Sequence, residues 1–264
     1  MPWVTRGLRN GILTSRYPAR PDGYHDNWQG SVVVGPAQPG TPAAAIAARC
    51  PTGAISAGEG ETATPALDQG KCILCGRCVL EGPGTFSFAP SPEVARRSRA
   101  GLVVPPTEET EAAVASARAD LARRVRALGR SVHVRHVDAG SDGSDEWEVA
   151  ALLGPIYDVH RLGIFFTASP RHADLLLVTG AGSAGMVRPL SVTYDAMPEP
   201  RVVVAVGTDA ISGGLVSPSY ASSGGVCDVV PVDVWVPGSP PSPFSILHGI
   251  LLAIGRLPSG RVGR

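Results

Sequence analysis

Lysine is almost missing from this chain. Lys71 stands alone, and arginine supplies nearly all the positive charge, a bias read first as one of coding. Net charge is missing as well: 23 basic and 23 acidic residues cancel over 264 positions, so no global field is available to hold nucleic acid. Long apolar runs are absent. The longest, Phe244 to Ile254, is interrupted by His248 and Gly249 and falls well short of the ~20 residues a membrane span needs. Cysteine is limited to five residues, and nothing ahead of them looks like a signal peptide. A secreted disulfide framework is therefore disfavoured and a cytoplasmic setting expected. What is plentiful is glycine (32) and proline (25), which imply many turns, especially before residue 110. Hydrophobic residues make up 44% of the chain, enough for a sizeable core in one or two domains.

Three of the five cysteines fall in Gly70-Lys-Cys-Ile-Leu-Cys-Gly-Arg-Cys78, as Cys72-x2-Cys75-x2-Cys78, and a fourth, Cys50, directly precedes Pro51. Bacterial ferredoxins use the run C-x2-C-x2-C-x3-C-P, in which the last cysteine ligates the other cluster of a two-cluster protein. The run is split in that manner here, so Cys50, Cys72, Cys75 and Cys78 can converge on one [4Fe–4S] cluster. Zinc is the competing reading, but structural zinc takes paired C-x2–4-C arms rather than a tight triple. Counting back from Cys50 by the same spacing meets Ile46, Ala43 and Gly40, and counting forward from Cys78 meets Gly82 before Pro83. All four ligands of one cluster are thus absent and all four of the other present. Residues 31–100 resemble a small α+β two-cluster ferredoxin domain that has dropped one complete cluster. With so little apolar content among so many turns, the cluster is expected to supply part of its folding energy.

Around this segment, residues 1–30 read as an amphipathic arm. Trp3, Val4, Leu8, Ile12 and Leu13 alternate with Arg6, Arg9 and Arg16, which suits a membrane surface, a partner subunit or packing on the chain's own domain, although Gly7 and Gly11 weaken a helix. Ser31 to Val34 reads as a strand and Ala43 to Arg49 as a short helix. Residues 101–130 read as a linker helix, capped by Thr107, with Val114, Leu121, Val125 and Leu128 on one face and Gly129 as its stop. From 131 to 256 the texture becomes α/β. Strands are predicted at Val132–Val137, Gly163–Phe166, Leu175–Val178, Val202–Val206 and Val229–Val236, and helices at Glu146–Leu153, Met186–Ala196 and Phe244–Ile254. Near-continuous apolar strands alternating with helices imply a parallel sheet covered on both faces. Residues 257–264 form a tail.

Gly180-Ala-Gly182-Ser-Ala-Gly185 after the third of these strands is a formal G-x-G-x-x-G, and Asp209 follows the next strand, which admits a dinucleotide-binding reading. Against it, the motif does not open the first βαβ unit.

Several ordered blocks carry a resemblance. They are Arg135-His-Val-Asp-Ala-Gly-Ser141, Ser169-Pro-Arg-His-Ala-Asp174 with the Leu-Leu-Leu-Val-Thr-Gly180 that follows, Val204-Ala-Val-Gly207, Ser212-Gly-Gly214 and Pro231-Val-Asp-Val-Trp-Val-Pro-Gly-Ser-Pro-Pro241. Residues 131–256 closely resemble the small, B-type subunit of NADH-quinone oxidoreductase, and still more the equivalent subunit of energy-converting [NiFe] hydrogenases and formate hydrogenlyases. The resemblance implies a flavodoxin-like small-subunit fold and no nucleotide at the Gly180 turn. It also implies that the chain is a fusion of two neighbouring subunits of such a complex. In that family four cysteines hold a [4Fe–4S] cluster. At the matching positions this chain has Asp142, Asp145, Asp209 and Ser239, hard and poorly matched ligands for an iron–sulfur core. The resemblance brings these residues together as a degenerate cluster pocket, able to hold a divalent cation, to handle a proton, or to sit solvated or paired with arginines such as Arg135 or Arg171. Cys227, off the ligand positions, reads as a small core residue. The expected role is an electron-transfer and docking subunit with one [4Fe–4S] cluster, peripheral on the cytoplasmic side of the membrane. It would contact a large catalytic-type subunit and membrane-arm subunits, and would not be catalytic alone. The alternative is a redox-silent scaffold.

Overall fold

In a computed structural model of the chain, residues 2–20, 29–38, 40, 42–58, 64–105, 123, 125, 131–217 and 219–257 are described. The predicted linker helix lies outside them, save for Arg123 and Val125, both helical, and so does the tail beyond Leu257.

The β-branched runs after residue 131 build the main sheet. Its strands are β6 (Val132–Asp138), β7 (Ile164–Phe166), β8 (Leu175–Thr179), β9 (Val202–Val206) and β10 (Val234–Val236), counted after five short strands nearer the N-terminus. All neighbours are parallel, with Val132 beside Ile164, Val134 beside Leu175, Leu175 beside Val202 and Val204 beside Val234. Their spatial order is β10-β9-β8-β6-β7. Numbered from β6, that is the 2-1-3-4-5 order of flavodoxin-like sheets.

Strand side chains alternate between two cores, as a period of two demands. Val132, Val134, Leu175, Leu177, Val202 and Val204 enter one; Val137, Leu176, Val178, Val203 and Ala205 enter the other. The first core is covered by two helices, which are numbered after three near the N-terminus. These are α4 (Ser144–Ala151), through Val149, and α7 (Pro243–Ala253). The second is covered by α5 (Val187–Asp195), through Leu190, and α6 (Gly207–Ser212), through Ala210 and Ile211.

Every residue of α7 is buried, which explains a helix apolar on all sides. The sheet takes one side, and residues from the N-terminal third cover another. Ala95 N–H donates to His248 Nδ1 at 3.3 Å and Arg97 Nη2 to the Leu252 carbonyl at 3.2 Å. Tyr17, fully buried, sets its ring edge against Phe244.

The N-terminal unit runs β-α-β-β-α-β: β1 (Ser31–Val34), α2 (Ala43–Ala48), β2 (Ile55–Ser56), β3 (Ala66–Asp68), α3 (Arg77–Glu81) and β4 (Phe86–Ala89). β1 pairs antiparallel with β4, while β2, β3 and β5 (Val103–Val104) form a second antiparallel sheet. Ahead of it, α1 (Pro2–Asn10) forms despite Gly7 and buries none of its residues. The chain then anchors to the α/β unit. Ser15 N–H donates to the Ile156 carbonyl at 2.7 Å, and Thr14 Oγ1 to that of Pro155 at 2.9 Å.

Two expectations need correction. The strand predicted at Val229–Val236 is confined to Val234–Val236, because Val229 and Val230 turn back to donate to the Val226 carbonyl and Pro231 has no N–H to give a ladder. In the same turn Val226 takes the core position and Cys227 points outward, exposed rather than buried.

Candidate metal centre and acid pocket

The four cysteines come from both halves of the N-terminal unit and line one pocket, together with Val32, Ile46, Ile55, Leu67 and Ile73 and with Arg49, Thr52, Arg77 and Glu81. Local backbone geometry aims them. Cys50 follows the end of α2, and Gly53, at φ 61°, closes the turn that lets Ala54 N–H donate to Cys50 Sγ at 3.3 Å. Leu74, at the unusual φ of 55°, turns its N–H toward Cys72. Gly76, left-handed at φ 75°, starts α3, which carries Cys78 into the core. Cys75 is exposed. No disulfide joins any of them.

Burial, reinforced by the neighbouring cysteines, pushes the Cys72 thiol up to about 12 despite the Leu74 amide. Burial also raises Cys78. Such thiols ionise only when a positive centre supplies the missing counter-charge, and soft sulfur donors suit an iron–sulfur core. The position of the missing Cys-Pro ligand is closed. A Cβ on Gly82 would meet Ile46 Cδ1 and a Phe86 ring carbon, each at 3.0 Å. Among the described residues no three His, Cys, Asp or Glu side chains are gathered to hold a single metal ion.

The cavity is tied to the α/β unit by α6. Thr208 Oγ1 donates to the Cys72 carbonyl at 3.0 Å, and Ser212 Oγ to that of Gly70 at 2.9 Å. Beside them, Arg99 clasps Asp68 with two hydrogen bonds, at 2.8 and 2.5 Å.

The predicted degenerate pocket is only partly assembled. Asp145 is 4% exposed, and its carboxylate rests against Gly207, where any Cβ would overlap it. Burial, followed by the charge of Asp209, raises Asp145 to about 8. Asp209 is also raised, by burial and then by Asp142 and Glu146. Asp142 differs: it is exposed, and the Ser144 hydroxyl (2.6 Å) and amide (2.9 Å) hold its carboxyl below the usual range. Ser239 is exposed at the turn before α7, and among the described residues no hydrogen bond joins it to these acids. Neither Arg135 nor Arg171 pairs with them among the described residues, so the arginine-paired version of the pocket is set aside. Glu146, missed from sequence, belongs to the cluster. It accepts from Ser141 Oγ at 2.6 Å and from Thr179 Oγ1, which also meets His136 Nε2 at 3.0 Å. Its place in the first turn of α4, directly after Asp145, could have flagged it.

The Gly180 turn has a packing explanation. A Cβ on Gly180 would strike the Gly140 and Ser141 backbone at 2.7–2.8 Å, and one on Gly182 would run into Ser223 and Gly225.

Strand order, helices on both faces and this α6-centred junction define a flavodoxin-like α/β unit joined to a thiol-lined N-terminal unit. The α/β unit matches, over residues 143–253, the family described as NADH ubiquinone oxidoreductase, 20 Kd subunit. The probable membrane-bound hydrogenase subunit mbhJ of Pyrococcus furiosus is 39% identical over 137 residues, 52% of this chain and 82% of that one. The chain belongs to this family. Formate hydrogenlyase subunit 7 of Escherichia coli is 38% identical over 161 residues, and the match spans 61% of each chain. The B-type subunit of NADH-quinone oxidoreductase from Desulfovibrio desulfuricans is 52% identical over 104 residues, 39% of this chain and 56% of that one. The aligned part thus covers under two thirds of two of these three relatives. Among the described residues no helix is long and apolar enough to cross a membrane.

Proposed function

We propose that this chain is an iron–sulfur subunit of a membrane-associated complex of the NADH-quinone oxidoreductase and energy-converting hydrogenase kind. Cys50, Cys72, Cys75 and Cys78 hold one [4Fe–4S] cluster in a ferredoxin-like unit, and the α/β unit docks a large catalytic-type subunit and the membrane arm without a cluster of its own. The observation that carries this reading is four thiols from two separate segments lining one pocket. When bound, the cluster takes up and releases single electrons. The chain's own groups place it: the Ala54 amide donates to Cys50 Sγ, the Leu74 amide faces Cys72, and Thr208 fixes the Cys72 loop on α6. Relatives with hydrogenase, formate hydrogenlyase and NADH-quinone oxidoreductase names support the setting. Loss of the second cluster rests on Asp142, Asp145, Asp209 and Ser239 standing where the resemblance calls for thiolates.

Anaerobic purification with iron quantification and EPR tests this. About four irons per chain and one paramagnetic centre on reduction are expected for a single cube; about eight irons would overturn the single-cluster reading. The alternative, a scaffold whose cluster only braces the fold, predicts a cluster that stays silent when the assembled complex is titrated with electron donors.

A further inference from the structure

We propose that Thr208 and Ser212 of α6 are positioning residues for the four-cysteine site, holding the Gly70–Cys72 segment by its carbonyls against the α/β unit. Through these two hydroxyls the redox behaviour of the N-terminal unit depends on a helix of the other half of the chain.

The amides of the segment find their partners inside the N-terminal unit. Gly70 N–H donates to Asp68 Oδ1 at 2.9 Å, Lys71 N–H to the Asp68 carbonyl at 3.1 Å and Cys72 N–H to that of Gln69 at 3.3 Å. Two of its carbonyls look the other way. Those of Gly70 and Cys72 accept from Ser212 Oγ at 2.9 Å and Thr208 Oγ1 at 3.0 Å, and among the described residues no other donor reaches them. The approach is close. A Cβ on Gly70, which is buried, would come within 2.8 Å of Ile211 Cγ2 on α6 and 3.0 Å of the Arg99 guanidinium. Arg99 in turn clasps Asp68, the acceptor of the Gly70 amide. The segment is thus held between an arginine of its own unit and a helix of the other.

α6 is a fixed support. Thr208 N–H donates to the Gly238 carbonyl at 2.7 Å, and the Ala210 carbonyl accepts from Val226 N–H at 2.8 Å. Thr208, 1% exposed, therefore pins Cys72 to the Gly238 turn through a single residue. The loop it steadies needs such ties, because Leu74, two residues beyond Cys72, sits at φ 55°, a conformation unfavourable for a residue with a side chain.

The two ties are unequal. Thr208 Oγ1 donates to one acceptor, whereas the single Ser212 hydroxyl proton is divided between the Gly70 carbonyl and the Thr208 carbonyl, at 3.0 Å, in its own helix. Loss of the Thr208 hydroxyl is the more disruptive, since it leaves the Cys72 carbonyl without a donor.

The inference rests on the reading that the four cysteines hold one [4Fe–4S] cluster, and the two fail distinguishably. Wild type without iron defeats both, whereas iron held equally well by every variant defeats only the positioning role. The test uses the full-length, anaerobically purified protein, measuring iron release to 2,2′-bipyridyl and the midpoint potential by EPR-monitored titration. Thr208→Val keeps the side chain's shape and the amide bond to Gly238 and removes only the hydroxyl. It is expected to release iron about tenfold faster than wild type. Its midpoint is expected to rise by about 30 mV or more, a threefold change in a one-electron equilibrium, because water admitted to a loosened loop favours the more highly charged reduced state. Thr208→Ser restores both values, and Ser212→Ala speeds release about threefold. Wild-type release and midpoint in Thr208→Val, or failure of Thr208→Ser to restore them, would overturn the proposal. If Thr208→Val does not fold, Ser212→Ala decides, and an unchanged release rate in it overturns the proposal.

Discussion

The two faces of α1 predict two separable losses of membrane binding. Trp3, Val4 and Leu8 span one broad side of the helix, 74%, 36% and 79% exposed, while Arg6 and Arg9 fall on the remaining arc. No acid occurs among residues 1–21. A helix of this kind lies in the plane of the headgroup boundary with its apolar face down. Burying a side chain of that size is worth about 1.5–3 kcal/mol, so Trp3→Ala combined with Leu8→Ala costs about 4 kcal/mol, or ~10³-fold in partitioning. Each arginine near an anionic surface contributes about 1 kcal/mol. Arg6→Gln with Arg9→Gln therefore lowers binding ~30-fold on anionic vesicles and leaves binding to zwitterionic ones nearly unchanged. Co-sedimentation of the full chain with vesicles of phosphatidylcholine, with and without phosphatidylglycerol, at low and high salt, measures both losses. Wild-type binding that ignores anionic lipid, or that survives truncation of the apolar pair, refutes the bilayer assignment and leaves α1 to a protein partner.

Two further outcomes concern stability. Tyr17→Ala empties a fully buried position packed edge-on against Phe244 at 5.8 Å, and urea denaturation should show a loss of about 3–5 kcal/mol. Asp145 titrates at about 8 in the folded chain, above its ordinary value of 3.8, so the folded state holds this proton more tightly than the unfolded one. The stability it contributes is complete below about pH 4 and is lost as pH rises through about 8. Asp145→Asn is expected to match wild type near pH 4 and to exceed it near pH 9. A rise of about four pH units at 1.36 kcal/mol each gives an upper bound of about 6 kcal/mol. Parallel stability curves for the two proteins across that range would contradict the assignment.

The α/β unit was legible because its signals are local and redundant. Runs such as Val202–Val206 can only be buried strands, and the structure sets that strand to the residue. The strands β2, β3 and β5, two or three residues each, carry no periodicity to detect; tertiary pairing defines them. α6 was missed for a related reason. Six residues beginning with glycine do not advertise a helix, and this one is held by its contacts with the Cys72 loop and the β9 end. The cysteine spacing foretold a shared cavity, since the motif encodes its own geometry. The acid pocket was half legible. The resemblance proposed Asp142, Asp145, Asp209 and Ser239 together, but the exposure of Asp142 and Ser239 depends on the Ser144 hydroxyl and on the turn before α7, which no spacing rule records.

The antiparallel bridge between Arg96 and Trp235, with its two amides donating in opposite directions at 2.9 and 2.8 Å, caps the outer edge of β10. That strand ends the five-stranded sheet, and an open edge invites pairing with foreign strands. The N-terminal third therefore works as a built-in edge guard for the larger half. A gene cut between the two halves would release an α/β unit with its border strand bare and the flank of α7 uncovered, so the covalent join protects against aggregation as well as holding two modules in one chain.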